Sequence, residues 1–84
     1  MNKQRREKLF ILQNKISVVK KDISELIDEL KNILVEEENA FDSMPEGLQC
    51  SERGMNSEES IELMYDIKTK LEESIENIDD ILNM

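Results

Sequence analysis

The chain offers very little for covalent or acid–base chemistry: among 84 residues there is one cysteine and no histidine. Cys50 is the only thiol, and a reactive thiolate needs a positive neighbour to lower its pKa; Arg53, three residues on, is the sole nearby candidate. No second cysteine is present to resolve an oxidised sulfur or to close a disulfide within the chain. Without histidine, Ser-His-Asp and Cys-His nucleophile systems, His-containing zinc sites and imidazole proton shuttles are excluded. Carboxylates are abundant, and Glu36 to Glu38 and Asp79-Asp80 place them side by side. No Asp and Gly pattern matches an EF-hand loop, however, and a di-iron bundle site would want histidine beside its glutamates. These carboxylates read as solvated helix surface. The chain is expected to be no enzyme, with no catalytic residue, cofactor or metal.

The remaining chemistry is charge. Residues 1–21 hold seven Lys or Arg and one acid, whereas residues 22–84 hold four bases and nineteen acids, for a formal charge of −9 overall. Lys3, Arg5, Arg6 and Lys8 adjoin Leu9, Phe10, Ile11 and Leu12, a combination that suits phosphate backbones or an anionic membrane surface. The field of the whole chain opposes both, and no aromatic platform is present for stacking bases, so nucleic acid is a disfavoured partner. No apolar run approaches the length of a membrane span, and a lone thiol without a recognisable leader points to a reducing cytoplasm. In the second half, Glu58, Glu59, Glu62, Asp66, Glu72, Glu73, Glu76, Asp79 and Asp80 are spaced to form an acidic helix face. Such a face either is simply solvated or resembles nucleic acid to a basic protein groove.

The elements that position these charges follow from apolar spacing. Leu9, Leu12, Ile16, Val19, Ile23, Leu26, Leu30 and Ile33 alternate steps of three and four, the heptad seam of a coiled coil. With no Gly or Pro from Asn2 to Met44, one helix over about residues 3–42 is predicted, ~60 Å long. A second stripe, Ile27, Leu34 and Phe41, widens its C-terminal half. Met44-Pro45 ends the helix, because proline restricts the preceding residue and donates no backbone hydrogen bond. Met44-Pro45-Glu46-Gly47 suits a type I turn, and Gly54 suits a second corner of positive φ. A second helix is expected over about 57–83, capped by Ser57 or Asn56, with Ile61, Met64, Ile67, Leu71, Ile75, Ile78, Ile81 and Leu82 on one face. The 43–56 loop then turns the chain back on itself. The whole of 1–84 reads as one all-α domain, a helix–loop–helix coiled-coil hairpin.

The two predicted helices differ in length, so roughly 15 residues of the first would overhang by ~20 Å, carrying Leu9, Phe10, Ile11, Leu12 and Ile16. Leaving these in water forgoes about 1.5–3 kcal/mol for each large side chain, which argues for a partner. A second copy fits: flanking the seam, Lys8 and Lys15 give way to Asp22, Glu29 and Glu36, so antiparallel pairing sets lysine near glutamate. Leu9 would meet Ile33, Leu12 Leu30, Ile16 Leu26 and Val19 Ile23, symmetrically about residue 21. The expected assembly is an antiparallel homodimer of four helices. The alternatives are a single hairpin with a flexible basic arm and a higher oligomer.

The loop is chemically varied, and Met44, Pro45, Glu46, Leu48, Gln49, Glu52 and Arg53 form a candidate partner-binding segment. Its alternative role is a helix-end cap, with Leu48 and Met55 plugging the open end and Arg53 pairing with local acids. FDSMPEGLQCSERG, set between a Lys/Glu-rich heptad helix and the acidic helix with SIENIDDIL, resembles a segment in small uncharacterised helical proteins. That group occurs in Gram-positive bacteria and their phages or mobile elements. The matching residues are Met44, Pro45, Glu46, Leu48, Gln49, Ser51, Glu52 and Gly54, whereas Cys50 stands where a small residue, often glycine, is usual. The resemblance implies no activity. Its setting implies a small protein that binds and blocks a host enzyme, nucleic-acid-handling or defence nucleases included. The sequence thus points to a non-catalytic protein-interaction module, with an assembly adaptor and a nucleic-acid-associated protein using the basic N-terminus as alternatives.

Overall fold

Forty consecutive residues without glycine or proline form α1, Lys3–Asp42, in a computed structural model that describes residues 1–84. Asn2 caps its start, the side-chain oxygen accepting from the Arg5 backbone N–H at 2.9 Å. Its end falls where Pro45 requires it, with the Ser43 N–H donating to the Asn39 carbonyl and the Met44 N–H to the Phe41 carbonyl. The proline then opens a single helical turn, α2, Glu46–Gln49, in which Leu48 and Gln49 both donate to the Pro45 carbonyl. The expected type I turn at Met44-Pro45-Glu46-Gly47 does not form: Pro45 is extended, with φ −56° and ψ 148°, and the turn starts one residue later on the Pro45 carbonyl, so Gly47 needs no special conformation.

The last helix, α3, spans Glu52–Leu82 and is 31 residues long. It begins five residues before the predicted start at residue 57. Ser51 is the cap, its hydroxyl accepting from the Gly54 N–H at 3.4 Å and donating to the Leu48 carbonyl. Ser57, the expected cap, lies inside the helix and is buried. Gly54 has no positive φ either. What its position requires is space: a Cβ there would overlap the backbone oxygens of Gln49 and Leu48. Glycine lets α3 start immediately behind the short turn.

Three polar links fix α3 antiparallel to α1. Gln13 donates through Nε2 to the Ile81 carbonyl at 2.7 Å, Lys20 pairs with Asp79 at 2.5 Å, and the Ser57 hydroxyl donates to Glu37 Oε1 at 2.6 Å. Between them, the covered residues of α1 other than the flanking Glu38 are Leu9, Gln13, Ile16, Lys20, Ile23, Ile27, Leu30, Leu34, Glu37 and Phe41, an unbroken series of threes and fours. The matching series on α3 is Gly54, Ser57, Ile61, Met64, Lys68, Leu71, Ile75, Ile78 and Leu82. This is the heptad geometry of a two-helix seam. Its register is set by polar residues at seam positions, each satisfied by a partner on the opposite helix or, for Lys68, by Glu72 at 3.0 Å.

The charges at the ends of the helices suit the pair better than either helix alone. The first turn of α1 carries no acid and the last turn of α3 no base, so each terminus opposes its own helix dipole. Side by side, the basic start of α1 and the acidic end of α3 attract, and Lys20–Asp79 is the contact that results.

Burial is thin. Only Ile27 and Leu34 among the apolar side chains are buried. The chain exposes 6581 Å², against about 5,200 Å² for a compact protein of this mass. Cα extents are 65 × 16 × 14 Å. Because α3 starts early it also reaches further back than predicted, to Gln13, and the projecting part of α1 shortens to its first ten residues, ~15 Å. Ile16 and Leu9 are half-buried, while Phe10, Ile11 and Leu12 remain exposed.

Candidate interaction surfaces

The eight apolar residues of the predicted seam divide into two columns. Leu9, Ile16, Ile23 and Leu30 face α3 and are half-buried. Leu12, Val19, Leu26 and Ile33 do not, and are exposed at 48, 50, 49 and 49%. The seam within the chain uses instead the residues one further on: Gln13, Lys20, Ile27 and Leu34. A regularly spaced aliphatic column is thereby left along one side of the molecule. Residues seven apart on a helix share a side. On α3 the corresponding column, one residue before each of Ile61, Lys68, Ile75 and Leu82, is Ser60, Ile67, Ser74 and Ile81. Antiparallel packing puts this column beside that of α1, so small and aliphatic residues of both helices form one lane. Leu63, 57% exposed, lies at its outer edge.

The opposite side of the seam is polar. Ser24 and Asp28 of α1 line a shallow groove with Glu72 and Glu76 of α3 around Ile27 and Ile75. Tyr65 and Glu38 also meet on this side; the Glu38 carboxylate, as hydrogen-bond acceptor and as negative charge, pushes the tyrosine hydroxyl above its ordinary value. Tyr65 is the only tyrosine, so its phenolate absorbance reports this contact alone. Glu38→Gln is expected to move the titration midpoint back down towards 10.0. A folded-state pKa above the unfolded one means that the contact stabilises below the unfolded pKa and is lost as pH rises through the folded one. An unchanged midpoint in Glu38→Gln would refute the pairing.

Carboxylates follow the same division of sides. All ten acids of α3 fall on three of its seven columns. One column, Glu52, Glu59, Asp66, Glu73 and Asp80, is acidic throughout; it runs ~42 Å along the outer face. The others hold Glu58, Glu72 and Asp79, and Glu62 and Glu76. The lane column and its outer neighbour, Asn56, Leu63, Lys70 and Asn77, hold none. Near the start of α3, Glu52, Glu58, Glu59 and Glu62 surround Met55 and Asn56 in an open depression. Further along, Lys70 is held to Asp66 at 2.9 Å, and that hydrogen bond raises its pKa.

The connecting segment is partly engaged in closing the helix ends. Gln49 donates through Nε2 to the Phe41 carbonyl at 2.9 Å, and Met44 is half-buried beside it. Leu48 and Met55, the expected plugs, are exposed at 41 and 61%, and Arg53 makes no ion pair. Pro45, Glu46, Glu52 and Arg53 face solvent, as does the free thiol of Cys50. Lys3, Arg5, Arg6 and Lys8 are exposed on the projecting end of α1. No three His, Cys, Asp or Glu side chains converge as they would around a metal ion, and no helix is long and apolar enough to cross a membrane.

Sequence inspection missed the distinction between the two aliphatic columns, because Gln13 and Lys20 look unsuited to a seam. The signal that separates them is present in the acids of α3, whose columns avoid one side. Comparison with protein-family models, curated proteins and solved structures found no match.

Proposed function

We propose that the chain is a non-catalytic protein-interaction module, a coiled-coil hairpin that works with a second copy and presents the acidic outer face of α3 to a basic protein surface. The observation that carries this reading is the confinement of every α3 carboxylate to three columns, away from the aliphatic lane. Acids spread only for solubility would occupy all exposed columns. Those of the last turn also oppose the helix dipole, so helix stability does not explain them. A continuous line of negative charge over ~42 Å is long enough to follow a groove that ordinarily holds a nucleic-acid backbone. The most specific form of the reading is an inhibitor of a nucleic-acid-handling or defence enzyme, acting by occupying that groove.

Affinity capture with the immobilised chain tests it. Basic nucleic-acid-binding proteins are expected to be retained at low salt and released as ionic strength rises. Glu59→Gln, Asp66→Asn and Glu73→Gln together are expected to abolish retention, while Lys3→Gln with Arg5→Gln leaves it intact. Equal retention by the neutralised variant would refute the acidic-face reading. Binding of the unmodified chain to random duplex, lost on removing Lys3, Arg5, Arg6 and Lys8, would replace it with the nucleic-acid reading.

The exposed aliphatic lane favours a second reading, an assembly adaptor in which self-association is itself the function. It predicts no basic partner, only pairing.

A further inference from the structure

We infer that the lane formed by Leu12, Val19, Leu26 and Ile33 of α1 with Ile67 of α3 is where a second copy of this chain packs, with the two α1 helices antiparallel and crossing near residues 22 and 23. Leu9, Ile16, Ile23 and Leu30 are covered by α3 in the same chain, which removes them from any interface between copies. The four residues that remain are spaced symmetrically: reversal about residues 22 and 23 sets Leu12 on Ile33 and Val19 on Leu26, filling every layer.

Charge selects the same orientation. Beside the lane on α1 lie Lys8, Lys15, Asp22, Glu29 and Glu36, seven apart. The reversal sets Lys15 near Glu29 and Lys8 near Glu36 of the other copy. It also lays the projecting basic end of α1 over the acidic stretch Glu36–Asp42. A parallel pair would set each of these charges against itself. Placing α1 over α3 of the other copy would bring Lys15 near Asn77, with no charge gained. In the antiparallel register only Asp22 meets its own copy.

The area suffices. From Leu12 to Ile33 the lane is ~32 Å long; two helices wide at ~8–10 Å each, it would remove about 1,000–1,300 Å² in total from water, a range that includes the lower bound for specific interfaces. Pairing by this side keeps the acidic columns outward, and covers surface that a chain of this mass exposes in excess.

The inference shares its column geometry with the proposed function but fails separately. A monomer that still captures basic proteins overturns the pairing alone, and a pair that captures none overturns the acidic-face reading alone.

Sedimentation equilibrium and cross-linking test it together. Leu26→Glu is expected to weaken association at least ~100-fold, because two copies of the side chain are removed from each interface. Val35→Glu, an equally drastic change at an exposed position on another side, should leave it unchanged. In a Cys50→Ser background, Lys15→Cys and Glu29→Cys are expected to form a disulfide only when the two variants are mixed. If Leu26→Glu proves poorly helical, Lys15→Glu weakening the pair and Glu29→Lys restoring it give the same answer with the lane intact. Self-cross-linking of Lys15→Cys alone, cross-linking to Asn77→Cys instead of Glu29→Cys, or equal effects of Leu26→Glu and Val35→Glu would overturn the inference.

Discussion

Leu34→Ala is expected to cost about 2–5 kcal/mol, the range for emptying a filled apolar site, and to leave much of the chain unfolded at 25 °C. Leu34 is only 3% exposed and Ile27, at 8%, is the one other buried apolar residue. A small core seldom provides more than about 3–5 kcal/mol of net stability, so one cavity removes most of it. Val35, the next residue along, is 58% exposed; Val35→Ala should change stability by no more than ~0.5 kcal/mol. Helical circular dichroism followed through a urea titration compares the two. Similar midpoints for both variants would show that the seam does not run through Leu34. Loss of pairing cannot mimic the expected result, because Leu34 faces α3 rather than the lane.

Gly54→Ala is expected to destabilise by about 1–3 kcal/mol, against the sign given by helix propensity, which favours alanine over glycine by about 1 kcal/mol in a helix interior. The reversal arises because the methyl would occupy the place of the Gln49 and Leu48 carbonyl oxygens. Relief requires α3 to lose its first turn or the 46–49 turn to move, and either change loosens the Gln49 bond to the Phe41 carbonyl. Trypsin provides a local readout at the exposed Arg53, where cleavage should accelerate in the variant. A stabilised, more protease-resistant Gly54→Ala would contradict the close approach. Ser57→Ala should cost a similar amount, about 1–3 kcal/mol, because it leaves the half-buried Glu37 carboxylate without its hydroxyl donor.

Much of the architecture is legible from residue spacing, and the departures have identifiable causes. The absence of Gly and Pro up to Met44, followed by Pro45, fixes the span of α1, and the structure has it at Lys3–Asp42. The start of α3 is harder to read because two serines offer themselves as caps. Ser57-Glu58-Glu59 carries the stronger local signal, and Gly54 suggests a corner when its conformation is ignored. Ser51 prevails because a helix starting there buries Gly54 and Ser57 against the preceding turn and Glu37. Choosing between two possible seams is harder still. Hydrophobicity alone favours Leu12, Val19, Leu26 and Ile33, yet α3 packs on the side of Gln13 and Lys20. Those two residues find an Ile81 carbonyl and an Asp79 carboxylate across the seam, which no single-helix pattern reveals. Once the polar residues are satisfied within the chain, the greasier column is left for something else.

What occupies that column is settled most directly by the molar mass of the unmodified chain, measured by light scattering over a dilution series under reducing conditions. Antiparallel pairing through Val19, Leu26 and their neighbours predicts a mass near twice 9.9 kDa at high concentration, falling towards 9.9 kDa on dilution. A mass that stays at 9.9 kDa up to the millimolar range, with helicity intact, would contradict it.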